Sequence, residues 1–485
     1  MNKLSCFISN QLQTSDKHQI ASKLFIKCLA IIYFSAFLSI AVQISGLVGP
    51  NGIFPFEELL DKAFNRHGYL AFIYLPTIFW VDASDITLQA VAYSGCIVSV
   101  VLFLGYKPRL LLIVLFLFYL SIYHAGQTFL SFQWDTLLLE AGFLAIFLVS
   151  GASYLVIFLY HWLLFRLRFM SGVSKLASDD PSWASLTTLN YYFETQPLPH
   201  MGAWYFHQLP QWTLEVGVVL IFISELLVPF FIFLSRKLRI TAAAITIFVQ
   251  LLIIATSNHN WINLLTIALC LFLLDDDLLK KLLPAKFLPE AISTDKKTKS
   301  SYILPAIAII IVLTSISVFF EMLSQKRPPY LISQITTIVR SWGVGHIFHV
   351  FPTMQTQRQE LQIEGSYDGR EWKAYKFKYK PGPIAERPKF IIPHQPRLDW
   401  IIWFVPPQHP EFMSVLSRFI EKLKQGSPQV ISLLEENPFK HAPPQFIRVQ
   451  AFEYKFTNFE ERKQTGDWWK YRYLGVFPYV RPRNP

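Results

Sequence analysis

KLASDDPSWASLTTLNYYFETQPLP, residues 175–199, is a polar, charged and aromatic-rich insert in a chain that is otherwise mostly apolar. Apolar runs flank it at 154–169 and 216–234. Each approaches the roughly 20 residues a membrane-spanning helix needs. A polar segment between spans is seldom mere connection, because long ordered loops tend to carry function. Working outward, apolar runs recur at 24–44, 88–104, 110–123, 136–149, 154–167, 216–234, 240–255, 262–274 and 303–320, nine candidate spans of which several are short. The stretch 68–81 is apolar but holds Pro76, and it reads as interfacial or re-entrant.

The composition agrees with this pattern. The 485 residues are 52% hydrophobic and 16% charged, against about 25% charged in an average soluble domain. The deficit lies in the first two-thirds of the chain. A net charge of +11 raises the question of nucleic acid. The basic residues form no stripe on a soluble face, however. Many sit at the ends of apolar runs, as in YKPR (106–109) and SRKLR (235–239), which is how membrane proteins use them. No nucleic-acid partner is expected. Four cysteines, Cys6, Cys28, Cys96 and Cys270, offer no paired metal spacing, and the C-terminal third has none. Residues 1–22 lack a signal-peptide core, so the first span is expected to act as its own insertion signal.

Nine spans with a cytoplasmic N-terminus satisfy the positive-inside rule at four segments: Lys17, Lys23 and Lys27; YKPR; SRKLR; and the loop 275–301 with Lys280, Lys281, Lys286, Lys296, Lys297 and Lys299. Arg166 and Arg168 are exceptions, falling near the outer end. The same topology puts 124–135, the loop 170–212, SNHN (257–260) and the C-terminal domain on one outer face. The organisation expected is a cytoplasmic tail (1–23), a polytopic α-helical membrane domain (24–321) and a β-rich α+β soluble domain (322–485). In that domain Leu361 and Ile363 alternate with polar residues, Tyr367-Asp368-Gly369 signals a turn, and Tyr375, Phe377 and Tyr379 alternate with lysines. Period 2 on both sides of a turn predicts an antiparallel hairpin. Phe412, Val415, Leu416, Phe419, Ile420 and Leu423 predict an amphipathic helix ended by Gly426, and Phe452, Tyr454 and Phe456 a further strand.

Two carboxylates lie inside apolar spans, Glu140 in LLLEAGFLAIF and Glu225 in FISELLVPFF. Burial there demands a partner, so each is either a structural ion pair or part of a polar cavity or proton relay. Glu215, Gln250, His161 and His124 are candidates to join them. In the 170–212 loop, His200 and His207 lack the i,i+4 spacing and nearby cysteines of a metal site, and no metal is expected. No Gly-rich phosphate loop or nucleophile elbow occurs.

The run WLLFRLRFMSGVSKLASDDPSWASLTTLNYYFETQPLPHMGAWYFHQLPQW (162–212) resembles the lipase maturation factor family. The resemblance continues through NGIFP (51–55), WDTLLLEAGFL (134–144), ELLVPFFIFLSRK (225–237) and NHNWINLLTIALCLFLLDDD (258–277). In the C-terminal domain it covers SWGVGHIFHVFPTM, RPKFIIPHQPRLDWIIWF, NPFKHAPPQFIRVQAFEYKF and GDWWKYRYLGVFPYV. It implies a multi-pass membrane protein that assists exported proteins, lipases in particular, to reach their active fold. It implies the endoplasmic reticulum membrane, or the cell inner membrane in a bacterium. The tail YVRPRNP is no retrieval signal. More distantly, the membrane part is similar to the vitamin K-dependent gamma-carboxylases, which sustains an enzymatic alternative.

Two functions are therefore carried forward. In the first, a non-enzymatic maturation factor needing no cofactor, the partners are an exported client and membrane lipids. Trp183, Tyr191, Tyr192, Glu194 and Trp204, with Arg397, Asp399 and Trp400, contact that client or dock the soluble domain onto the membrane domain. Docking is the preferred role for 397–403, because alternating charge and aromatics suit an interdomain seam. In the second, an intramembrane enzyme, Lys175, Glu194, His200 and His207 supply acid/base groups, with Glu140 or Glu225 deeper. A transporter would show paired broken helices in two related halves, which the sequence lacks.

Overall fold

The computed structural model describes residues 12–13, 15–288, 302–349 and 351–478. Cys6, the lysines at 296, 297 and 299, and the tail 479–485 lie outside the described residues. Seven helices are long and apolar enough to cross a membrane: Gln19–Ala41, Asp85–Phe103, Pro108–Ala125, Tyr154–Leu176, Gln211–Phe231, Arg236–Thr256 and Ile303–Ser324. The other two of the nine expected spans form helices of lesser length. Gln133–Leu148 has 16 residues, and Ile262–Leu269 continues only through a 3-10 turn, Cys270–Leu273. At 1.5 Å per residue the first is about 24 Å long. Both are largely buried within the molecule.

Polar residues set where the helices start. Ser84 and Ser153 cap their helices by accepting from Thr87 N and Val156 N, and Pro108 opens the next. The first span, which begins at Gln19, is capped from a distance. The Asp276 carboxylate accepts Gln19 N at 2.8 Å, Ile20 N at 3.1 Å and Ala21 N at 3.2 Å. It answers three amides that the helix itself cannot satisfy. Ser15 N bonds Ala152 O, Asp276 N bonds Lys17 O, Arg109 reaches Ser150 and Arg236 pairs with Asp275. These basic segments thus gather at one end of the bundle.

The C-terminal domain sits on the opposite end. Its sheet, ordered β2-β1-β5-β6, is antiparallel: β1 (Arg358–Ser366), β2 (Lys373–Ala374), β5 (Phe446–Phe456) and β6 (Trp469–Phe477). Strands β3 (Lys376–Phe377) and β4 (Leu434–Glu436) make a small second sheet. The expected hairpin forms only in part: beyond a turn held by Asp368 Oδ1, which accepts Arg370 N at 2.8 Å and Glu371 N at 3.0 Å, the chain pairs with β1 at Lys373–Ala374 and through Tyr375 N to Ile363 O, and Lys376–Phe377 then leaves β1 to pair with β4. The amphipathic helix runs Pro410–Lys424, with Gly426 at φ +68° just beyond it. One feature differs from the sequence reading. Between the last span and β1 lies a helix, Tyr330–Ser341, with Tyr330, Leu331, Ile332 and Ile335 exposed. Its apolar face marks it as an interfacial element and not as the start of a water-soluble fold.

Candidate functional site

The FETQPLP run (193–199) lies under the C-terminal domain, and its backbone is the docking point. Arg358, fully buried, donates to the carbonyls of Glu194 and Pro197 at 3.0 Å each and to that of Gln196. Trp403 Nε1 donates to Thr195 O at 2.7 Å, and Glu194 Oε2 accepts Phe456 N at 2.7 Å. Backbone carbonyls exposed by a proline-rich turn thus become acceptors for one domain's buried cation. The loop around this run is mostly short helices, Pro181–Ala184, Thr188–Thr195 and Met201–His207.

Trp183, 4% exposed, donates to Pro352 O at 2.9 Å. Tyr192 Oη lies 2.7 Å from His259 Nε2 and 2.8 Å from Ser257 Oγ. Trp204 is fully buried against Trp468 and Phe459. Tyr191 is half-buried, its carbonyl accepting Thr195 Oγ1. Arg397 forms a bidentate pair with Asp135, both contacts 2.7 Å, and Tyr119 Oη donates to the same carboxylate at 2.7 Å. Asp399 accepts the amides of Tyr379 and Lys380 at 2.8 and 2.9 Å, and Trp400 packs edge-on to Trp134. Trp183, Trp204, Arg397 and Trp400 are all buried at contacts between the two parts of the chain.

Both intramembrane carboxylates have cationic partners. Glu140 pairs with Arg166 and accepts Gly345 N at 2.9 Å. Gly343 and Gly345, at φ +76° and +74°, give the SWGVGH turn the left-handed path that this approach requires. Glu225 sits in a single π-helical turn, Ile223–Leu227. Lys175 Nζ lies 2.8 Å from its Oε2, and Arg168 Nη1 3.7 Å from its Oε1. Lys175 also donates to Ser171 Oγ at 2.9 Å. The two arginines that break the positive-inside rule are therefore the counter-ions of the two glutamates.

The two pairs differ in what surrounds them. Glu140–Arg166 is sealed, at 0% and 1% side-chain exposure. Arg168, Ser171, Lys175 and Glu225 instead line a cavity of about 340 Å³. Spans 211–231 and 236–256 supply mostly apolar walls, Tyr192, His259 and Asn263 add polar groups, and Phe351 and Met354 of the C-terminal region contribute from the domain side. Of the other groups proposed to join the carboxylates, only Gln250 lines this cavity. His161 meets Phe272 O, His124 meets Ser341 O, and Glu215 accepts Gln211 on the surface.

The acid/base set suggested by the loop does not assemble. His200 caps a helix by accepting Gly202 N at 2.9 Å, and its other nitrogen lies 3.2 Å from Ile254 O. His207 is 3.9 Å from Glu194 in the domain seam. Burial holds both imidazoles below their usual range and pushes the Glu194 carboxyl up. Among the described residues no group of three His, Cys, Asp or Glu side chains could hold a metal ion. Arg358, Asp135 and Asn263, which sequence reasoning passed over, are central here. For Asp135 a signal existed: a carboxylate at the start of the apolar run WDTLLLE needs a partner if that run is buried.

A lipase maturation factor transmembrane domain model matches residues 20–281, and a lipase maturation factor C-terminal domain model matches 344–478. The chain belongs to the lipase maturation factor family. Lipase maturation factor 2 of Xenopus laevis is 31% identical over 95% of this chain and 82% of its own length. Lipase maturation factor 1 of Bos taurus is 30% identical, over 94% and 88%. Lipase maturation factor 2 of Homo sapiens is 29% identical, over 96% and 83%. No solved structure matches significantly. The two family domains meet at the seam built by Arg358 and Arg397, and the cavity lies mainly in the transmembrane one.

Proposed function

We propose that this lipase maturation factor relative is a non-enzymatic membrane platform on which exported proteins, lipases in the first instance, complete folding or assembly. The observation that carries the reading is its likeness, over 94–96% of its length, to proteins named lipase maturation factors. The endoplasmic reticulum membrane, or the inner membrane of a bacterium, is the proposed location, with the docked domain on the lumenal or periplasmic side. The loop aromatics hold that domain in place. The client surface is then assigned to side chains left exposed on β6, Tyr471 at 55%, Tyr473 at 52% and Val476 at 55%. Aromatic anchors dominate such contacts.

Deleting the gene in its native host and assaying exported lipases tests the function. Their active fraction should fall while their total amount is kept, and wild type should restore it. Tyr471→Ser with Tyr473→Ser should restore it poorly at matched protein level. Unchanged lipase activity in the deletion strain would refute the reading.

A second reading, an intramembrane enzyme, is favoured by one observation, the Lys175–Glu225 pair facing a cavity. Removing an acid/base group costs ~10²–10⁴-fold in rate. Full complementation by Lys175→Met would exclude that role.

A further inference from the structure

We propose that the cavity under the seam binds an anionic amphiphile drawn from the membrane, its apolar chain between the spans and its acidic head against Arg168, Lys175 and Asn263. Three observations carry this, and they hold whether the chain acts as a platform or as an enzyme.

The first is where the cavity opens. Its rim includes Val216, 59% exposed, and Phe248, 53% exposed, one on each of the spans Gln211–Phe231 and Arg236–Thr256. An opening bordered by exposed apolar residues of two spans faces acyl chains and not water. Between rim and floor the wall includes Leu220, Ile221, Val249, Leu252 and Ile253, surface that suits a hydrocarbon chain. A volume of about 340 Å³ lies within the range of small-molecule sites, roughly 300–1,000 Å³.

The second is the charge of the floor. Arg168 and Lys175 carry two positive charges against the single negative charge of Glu225. Buried charge inside a membrane protein is expected to be balanced. A carboxylate or phosphate head supplies the missing negative charge.

The third is a pair of open donors. Arg168 is 6% exposed and Asn263 3%, and both line the cavity. Arg168 Nε and Asn263 Nδ2 are buried without a hydrogen-bond partner. Two orphaned donors beside a cationic floor call for an acceptor, and an acidic oxygen is the strongest one available. The head would lie beneath Trp183, Phe351 and Met354, and the chain would extend toward the bilayer.

The test uses the full chain purified in detergent and three probes that share one acyl chain. Oleate carries a carboxylate, lysophosphatidate a phosphate, and monoolein no charge. Both acids should bind saturably and monoolein at least about tenfold more weakly, as expected for loss of a charge-assisted hydrogen bond. Whichever acid binds tighter identifies the head. Asn263→Leu, which closes one open donor with a side chain of similar size, should weaken the preferred acid by about tenfold. Its melting temperature shows whether it is folded. Equal affinity for monoolein and both acids in the wild-type protein overturns the proposal without need of any variant. So does an unchanged acid affinity in folded Asn263→Leu.

Discussion

Arg397 shows how much one side chain carries in this molecule. It is 1% exposed, bidentate with Asp135, bonded to Phe129 O at 3.0 Å, and its own amide donates to Gln43 at 2.8 Å. Its removal leaves the buried Asp135 carboxyl without a cation, with Tyr119 as its remaining side-chain partner. Breaking such a pair typically costs about 3–5 kcal/mol. Arg397→Ala should therefore melt well below wild type in detergent, and Arg397→Lys, which cannot make two parallel bonds, should fall between them. Equal melting temperatures would mean that the pair contributes little. Glu225 gives a second contrast. Glu225→Gln keeps an oxygen for Lys175, whereas Glu225→Leu strands two cations, an added cost of about 1–3 kcal/mol or more. Leu should lower thermal stability further than Gln.

At the scale of elements, the first span depends on a cap supplied by a residue more than 250 positions away. Asp276→Ala removes the acceptor for three amides, and caps of this kind are worth about 0.5–2 kcal/mol. Asp276→Asn keeps an oxygen and should lose less. Hydrogen exchange at Gln19–Ala21 reads the effect locally: faster exchange in the alanine variant is the expected result. The elements at the seam add a pH dependence. Burial pushes His259 and His394 down to about 4 and His346 to about 3, from 6.5. Between pH 6.5 and about 4 the unfolded chain takes up protons at these sites and the folded chain does not. Their stabilisation is complete above pH 6.5 and is lost as pH falls through that window. Glu194 and Asp399, pushed up by burial, act in the opposite sense. With three imidazoles so displaced, the melting temperature should drop from pH 7 to pH 5. A rise would mean that the carboxyls dominate.

For the whole molecule the testable quantity is which end of the bundle faces which compartment. Ser182, Asn258 and Ser366 are buried and would not report on it. Ser185 and Ser414 are exposed on the domain side, and Lys281 is exposed at the basic end. In a cysteine-free background, Ser185→Cys and Ser414→Cys should react with an impermeant maleimide from the lumenal or periplasmic side, and Lys281→Cys should not. The reverse pattern would invert the topology and move the cavity's roof to the cytoplasm.

The sequence by itself determined most of the long elements, though not the helix Tyr330–Ser341 or the shortness of Gln133–Leu148 and Ile262–Leu269. Apolar runs, basic run ends and period-2 or period-3.6 patterns are local, and water and lipid act on them one segment at a time. It also showed that Glu140 and Glu225 need partners, because an intramembrane carboxylate is costly wherever the rest of the chain lies. It did not determine which cation answers which carboxylate. Arg166 and Arg168 are two residues apart on one helix, yet they serve different glutamates, one sealed and one facing a cavity. Nor did it separate a client-binding aromatic from a docking one: Trp183 and Trp204 become buried only when residues some 170 and 260 positions further on fold over them. Those outcomes depend on long-range packing, where a side chain's role is set by what closes over it and not by its neighbours in the chain.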